Sequence, residues 1–257
     1  MKKQQNNTNK TNNQVLIYGK HPFFSVLKNN KRKLFSIFVA DNNKNELLQF
    51  IQKEKINIDI SNINFVSNNK LDSIFPHQDK NHQGYIIYAS ERNKMDLYDF
   101  LNNINNSNTL PKLLILDQIL DPHNLGAIIR TACAFGVDNI IITEFHSAKD
   151  TATVIKTSVG LSEKINLIVV SNLNNTIKEL KKIGYFIIGL DGNAKLTLDK
   201  ITDSSNIAII LGNEGKGIRE LVKKNCDDLV KIPMQNNVES LNVSVATAIT
   251  LYQLWGK

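Results

Sequence analysis

Two rhythms of apolar and polar residues divide the chain. From Val15 to about Ser90 short apolar stretches alternate with segments of helical spacing. VLIY opens the region, HPFFSVLKNN reads as helix, LFSIFVA as strand and NELLQFIQKEK as helix, while INIDI, INFV and YIIYAS supply further strands. That mixture predicts a compact α/β module over residues 14–90. After Pro111 the apolar runs lengthen: LLILDQI, NIIITEF, INLIVV, YFIIGLD, IAIILGNE and LVKIPM. They alternate with helical segments beginning near Asn124, Ala152, Leu173, Gly217 and Asn242. Strands that are apolar at successive positions must be covered on both faces, so residues 111–257 read as an α/β domain with a parallel sheet between helical layers. Residues 91–110, which include the stretch NNINNSN (Asn102 to Asn108), read as a linker. Part of it is helical in spacing, because Leu97, Phe100, Leu101 and Ile104 recur on one face.

Composition narrows the partner more than the fold. The 257 residues carry 31 Lys and Arg against 24 Asp and Glu, a formal charge of +7 that suits a polyanion. The basic cluster Lys28, Lys31, Arg32 and Lys33 follows a predicted helix and either meets phosphates or is a solvated loop. Cys133 and Cys226 stand far apart with no CxxC, which suggests neither a zinc site nor a disulfide framework and fits a reducing, cytoplasmic compartment. No apolar run approaches the roughly 20 residues that span a bilayer. The N-terminal lysines have no hydrophobic core behind them, so no signal peptide is expected. Residues 1–13, rich in Asn and Lys, are expected to be disordered.

In parallel α/β sheets ligands bind at the carboxyl ends of the strands, and each stretch with candidate chemistry follows such an end. The first is DPHNLGAIIRTACAFG, Asp121 to Gly136. Its Ala127, Arg130, Thr131 and Ala134 fall at i, i+3, i+4 and i+7, a face of small residues with one cation, and the planar guanidinium fork suits phosphate. The second, ILGNEGKGI (Ile210 to Ile218), has its glycines as GxxGxG, which matches neither the dinucleotide fingerprint nor a P-loop. The third, IPMQNNVESLNVSVATAITLYQLW (Ile232 to Trp255), passes through a polar loop from Gln235 to Ser240 into a helix. Asn242 stands at its N-cap, and Val245, Ile249 and Tyr252 share one face. Ser240 and Asn242 either serve a ligand or only cap the helix. His123 is a lone loop histidine, and His21, His77, His82 and His146 show no metal-ligand spacing, so no metal is expected.

These three stretches, in this order, resemble the motifs of the SpoU (TrmH) family of RNA ribose 2'-O-methyltransferases in the SPOUT superfamily, over most of the chain from about Val15. Within the family, YGKH at Tyr18 and HQG at His82 to Gly84 resemble the bacterial branch that methylates a guanosine ribose in the peptidyl-transferase region of 23S rRNA. A tRNA or other rRNA ribose is the alternative substrate, and a non-catalytic RNA-binding protein the rival from another class. The resemblance implies S-adenosylmethionine as cofactor and a deep trefoil knot in the catalytic domain. It further implies an L30e-like RNA substrate-binding domain at the N-terminus and a homodimer formed through the catalytic domain. It carries cofactor contacts onto Gly212, Ile232 and Leu241, with Gly192 and Met234 nearby; Gly212 would let backbone approach the ligand closely. Arg130 would position or activate the target nucleotide: the family's matching arginine has been cast as a general base, but a guanidinium stays protonated, which favours phosphate anchoring and stabilisation of transition-state charge. Asn124 would orient Arg130 or the substrate, or cap its helix. Glu214 would pair with Arg130 or accept a hydroxyl hydrogen bond, and Ser240 and Asn242 would bond ribose, cofactor carboxylate or loop. The chain departs from the family pattern at Lys156 to Gly160 (KTSVG) and at Asp150 to Thr153, which would alter contacts with the target loop.

Overall fold

The computed structural model describes residues 14–76, 81–104, 109–148, 151–202, 205–235 and 240–256. The expected disordered tail, His77, the end of the Asn-rich stretch, Asp150 and the middle of the 235–240 loop lie outside those residues. Among the described residues no helix is long and apolar enough to cross a membrane.

The N-terminal half builds a small sheet from β1 (Gln14–Tyr18), β2 (Leu34–Ala40), β3 (Ile63–Val66) and β4 (Tyr85–Ser90), in the order β1-β4-β2-β3. The β1-β4 and β4-β2 pairs are antiparallel and β2-β3 is parallel. Helices α1 (Lys20–Asn29), α2 (Lys44–Glu54) and α3 (Asn68–Ile74) accompany it. Phe23, Val26, Leu27, Leu47 and Ile51 from α1 and α2 meet Ile17, Val39 and Ile87 of the strands in one core. INIDI does not form the expected strand. The Asp59 side chain accepts a hydrogen bond from the Ser61 amide and starts a 3-10 turn at Ile60–Asn62, so the backbone turns before it can join a ladder.

The C-terminal half carries a seven-stranded sheet, ordered β7-β6-β5-β10-β8-β11-β9, in which every neighbouring pair is parallel. Its strands are β5 (Leu113–Asp117), β6 (Asn139–Thr143), β7 (Asn166–Val170), β8 (Phe186–Leu190), β9 (Leu196–Thr197), β10 (Ile207–Gly212) and β11 (Asp228–Lys231). The period of two divides the apolar residues between two layers. Leu114, Leu116, Ile140 and Ile142 pack on the side of α5 (Pro122–Ala134) and α9 (Val243–Trp255). Leu113, Ile115, Ile141 and Ile168 pack on the side of α4 (Leu97–Ile104) and α7 (Leu173–Lys182). Burial on both faces explains why these strands read as unbroken apolar runs.

Two expectations shift in detail. The helix expected near Gly217 is the short α8 (Glu220–Lys223), because residues 213–217 close on themselves first. The segment read as a linker is held against the larger sheet. Met95 exchanges backbone hydrogen bonds with Leu167 and Val169 beside β7, and Phe100 and Ile104 of α4 are buried in the core. The remaining helix, α6 (Ala152–Thr157), inserts Ile155 into the core of the N-terminal half.

Candidate active site

The carboxyl ends of β8, β10 and β11 and the entry to α9 border a cleft of about 310 Å³. Gly192 follows β8, Gly212 ends β10, Ile232 and Met234 follow β11, and Leu241 precedes α9. All five line this cleft, as do Glu214 and Ser240. Residues spread over 50 positions are thus brought together by the parallel strand order, which aims every one of these loops the same way.

Glycine at 212 is required by the chain itself. A Cβ there would lie 2.1 Å from the Gly217 carbonyl carbon and 2.2 Å from the Ile218 nitrogen, so the chain's own loop, and not a ligand, takes the space. That loop closes by paired backbone bonds, Asn213 N to Gly217 O at 3.1 Å and Gly217 N to Asn213 O at 2.9 Å. The Asn213 side chain accepts from the Gly215 and Lys216 amides and donates to Gln118 O at 3.0 Å, which ties the loop to the end of β5.

Above the cleft runs a chain of polar side chains. Asn124 on α5 donates to Glu214 at 2.8 Å, Asn242 donates to Asn124 at 3.0 Å, and Asn242 in turn accepts from the Ser244 amide at 2.8 Å, which caps α9. The donors and acceptors alternate consistently along its length. Two expectations change here, and the N-cap role of Asn242 holds. Asn124 neither caps α5 nor bonds Arg130: the cap is Asp121, which accepts from the His123 amide. Glu214 pairs with Asn124 and not with Arg130. Asn242 serves both its own helix and Asn124.

Arg130 is exposed on α5 and makes no hydrogen bond or ion pair with any described residue. On α9, which packs along α5, Val245, Ile249 and Tyr252 also face outward, with 47%, 38% and 62% of their surface accessible. The spacing identified one face of this helix, and that face is turned away from the core. His123 is exposed, with Nδ1 3.4 Å from the Thr157 hydroxyl.

The basic cluster also divides. Arg32 is buried against Glu163 and is withdrawn from phosphate, whereas Lys28, paired with Glu54 at 2.5 Å, keeps 62% of its side chain exposed at the surface.

Sequence reasoning missed a polar wall of the cleft. Asp191 and Lys223 pair at 2.6 Å, and Lys223 also reaches Glu220 at 3.0 Å. Burial pushes the Asp191 carboxyl up, but hydrogen bonds from Lys223 and the Asn193 amide outweigh it and hold the group below the usual carboxylate range. Hydrogen bonds to Asp191 and Glu220 raise the Lys223 ammonium above its usual value, so both stay charged at neutral pH. An acid just past the apolar run that ends at Leu190 was a signal for Asp191; the four-residue helix carrying Lys223 gave none. Burial pushes the Cys226 thiol up to about 11 and raises that of Cys133, so neither offers a thiolate nucleophile. Among the described residues no group of His, Cys, Asp and Glu is placed to hold a metal ion.

Comparison with known proteins accounts for both halves. Residues 111–252 match the model of the SpoU rRNA Methylase family, and residues 16–95 match the RNA 2'-O ribose methyltransferase substrate-binding model. The chain belongs to the SpoU rRNA methylase family and is a methyltransferase. It is 38% identical over 93% of its length to the 23S rRNA (guanosine-2'-O-)-methyltransferase RlmB of Haemophilus ducreyi, covering 96% of that protein. A Bacillus subtilis protein assigned to the TrmH family of tRNA/rRNA methyltransferases is 34% identical over 94% of this chain and 95% of its own. The fold matches an AdoMet-bound rRNA methyltransferase from Sinorhizobium meliloti with a TM-score of 0.75 at 19% identity, over 94% of this chain and 87% of that one.

Proposed function

We propose that the chain uses S-adenosylmethionine to methylate the 2'-hydroxyl of a guanosine ribose in the peptidyl-transferase region of 23S rRNA. The observation that carries this is the convergence of Gly192, Gly212, Ile232, Met234 and Leu241 on one cleft, beside the chain Glu214, Asn124 and Asn242. The cleft suits the cofactor chemically: Leu211, Ile232, Met234 and Leu241 offer apolar surface for adenine, while Asp191, Asn193 and Lys223 offer charged and polar partners for its hydroxyls and amino-acid end. When bound, S-adenosylmethionine supplies a methyl group activated by the adjoining sulfonium.

The chain's own residues then orient the ribose and stabilise charge. Much of the rate of such a reaction comes from holding two partners in line. Arg130, a cation with no hydrogen-bond or ion-pair partner among the described residues, anchors a phosphate and stabilises negative charge growing on the 2'-oxygen as its proton passes to water. Asn124 holds Glu214 at the cleft, where its carboxylate accepts a hydrogen bond from the ribose, and Asn242 fixes Asn124. Ser240, exposed at the cleft edge, bonds ribose or cofactor.

In this reading residues 14–90 form an L30e-like module that takes the RNA, 91–110 join it to the catalytic domain, and 111–257 form a knotted methyltransferase domain. The outward face of α9 and the small residues of α5 pair with a second copy in a cytoplasmic homodimer. The relation to a TrmH-family tRNA/rRNA methyltransferase favours a tRNA ribose as the second reading. Tritium transfer from labelled S-adenosylmethionine to protein-free 23S rRNA and to tRNA, with mapping of the modified nucleotide, decides between them. Label at one guanosine of the peptidyl-transferase region is expected; label in tRNA alone overturns the substrate, and absence of cofactor binding overturns the chemistry.

A further inference from the structure

The two halves of the chain meet across a seam with a buried ion pair at its centre. Arg32, in the turn after α1, directs Nε to both Glu163 oxygens at 3.0 and 3.2 Å and Nη2 to one of them at 2.7 Å. The side chains are 0% and 1% exposed. Arg32 Nη1 donates to Ser90 O at 3.0 Å, so the guanidinium is also held to the end of β4. Around it, Ser25 donates to Gly160 O at 2.7 Å and Asn29 to Glu163 O, while Arg92 donates to the carbonyls of Ser162 and Ile165. Gly160 is pressed so close that a Cβ would lie 2.7 Å from the Ser25 Cβ and 2.9 Å from the Pro22 Cα.

An apolar seam alone permits sliding, because apolar contact has no direction. A planar fork on a carboxylate fixes both distance and angle. The consequence reaches the site through α6. Lys156 donates to Asn81 O at 2.9 Å and lies 4.8 Å from the centre of the Tyr18 ring, which joins it to the YGKH and HQG edge of the N-terminal sheet. Its neighbour Thr157 meets His123 on the first turn of α5, the helix that bears Asn124 and Arg130. The KTSVG segment therefore belongs to the seam between the halves.

We propose that Arg32 and Glu163 are positioning residues that latch the N-terminal module to the catalytic half, so that RNA gripped by the module reaches the cleft in one register. The proposal rests on the RNA methylation reading for its functional part. The pair does not touch substrate; it sets where the substrate-binding edge lies.

Three full-length variants test this: Glu163→Gln, Arg32→Met, and the double variant Arg32→Met with Glu163→Leu. Each is measured by small-angle scattering, by S-adenosylmethionine affinity, and by kcat and KM on 23S rRNA. Each single variant strands one buried charged or polar partner, and is expected to swing the module out and enlarge the scattering radius. kcat/KM for RNA should fall on the order of 10²-fold, mostly through KM, with cofactor affinity unchanged. The double variant removes both charges and fills the same space with apolar atoms, so it should restore the docked shape and most of KM. Single variants that stay docked with unchanged KM overturn the latch, as does a raised KM in a docked variant, which would separate RNA binding from the placement of the module. A double variant no better than the singles, or equal losses in cofactor affinity and kcat, also overturn it. If the unaltered chain labels no RNA the functional reading fails, while scattering of the three variants still decides whether the pair holds the halves together.

Discussion

Helix α5 serves two surfaces of opposite character, and the contrast between Asn124 and Arg130 separates what the protein completes by itself from what it leaves for a partner. Asn124, on the first turn, has both ends of its amide engaged, by Glu214 and Asn242. Arg130, farther along the same helix, makes no hydrogen bond or ion pair with a described residue, and α9, which packs along α5, exposes Val245, Ile249 and Tyr252. Pre-satisfied polar groups cost no reorganisation when a ligand arrives, which suits a cofactor cleft. An exposed cation on one helix and bare apolar side chains on the other are, by contrast, open to a partner outside the chain.

The largest test of this contrast is Arg130→Ala. If the arginine acts only on RNA, methyl transfer falls on the order of 10² to 10³-fold while S-adenosylmethionine affinity, measured by titration calorimetry, stays unchanged. A parallel loss of cofactor affinity would move Arg130 into the cleft and erase the distinction. Next comes the completed side. Gly212→Ala forces a Cβ into the backbone of Gly217 and Ile218, so unfolding in urea should reveal a loss of about 1–3 kcal/mol together with weaker cofactor binding. Unchanged stability would mean that the 213–217 loop can shift at little cost. The smallest effect is expected at the open face. Ile249→Glu should weaken self-association at least tenfold, about 1.4 kcal/mol, in sedimentation equilibrium, and leave the far-ultraviolet circular dichroism as it was. A chain that is monomeric before the substitution would assign that face to something other than a second copy.

Legibility followed the kind of interaction. The strands β5, β6, β8 and β10 could be read because burial on both faces demands long apolar runs. INIDI misled because its alternation is that of a strand, whereas a single side-chain bond from Asp59 turns the backbone there. At the cleft, Gly212, Ile232, Met234 and Leu241 lie in the stretches that carry the family resemblance, whereas Gly192 lies outside them, and it is the fold that brings all five to one cleft. Asp191 and Lys223 face each other across 32 positions of sequence, and no local pattern marks such a pair.

By itself the sequence determined the alternation of strands and helices in both halves, the parallel character of the second sheet and the family. Those properties arise from periodicity and local motifs, which neighbouring residues encode. Only the tertiary structure decided that Arg32 is spent on Glu163 instead of phosphate, and that Glu214 answers to Asn124 instead of Arg130. It also decided that the apolar face of α9 looks outward. A side chain's partner is set by which elements the fold brings within about 3 Å, the range in which a hydrogen bond forms, and distance along the chain carries no record of it.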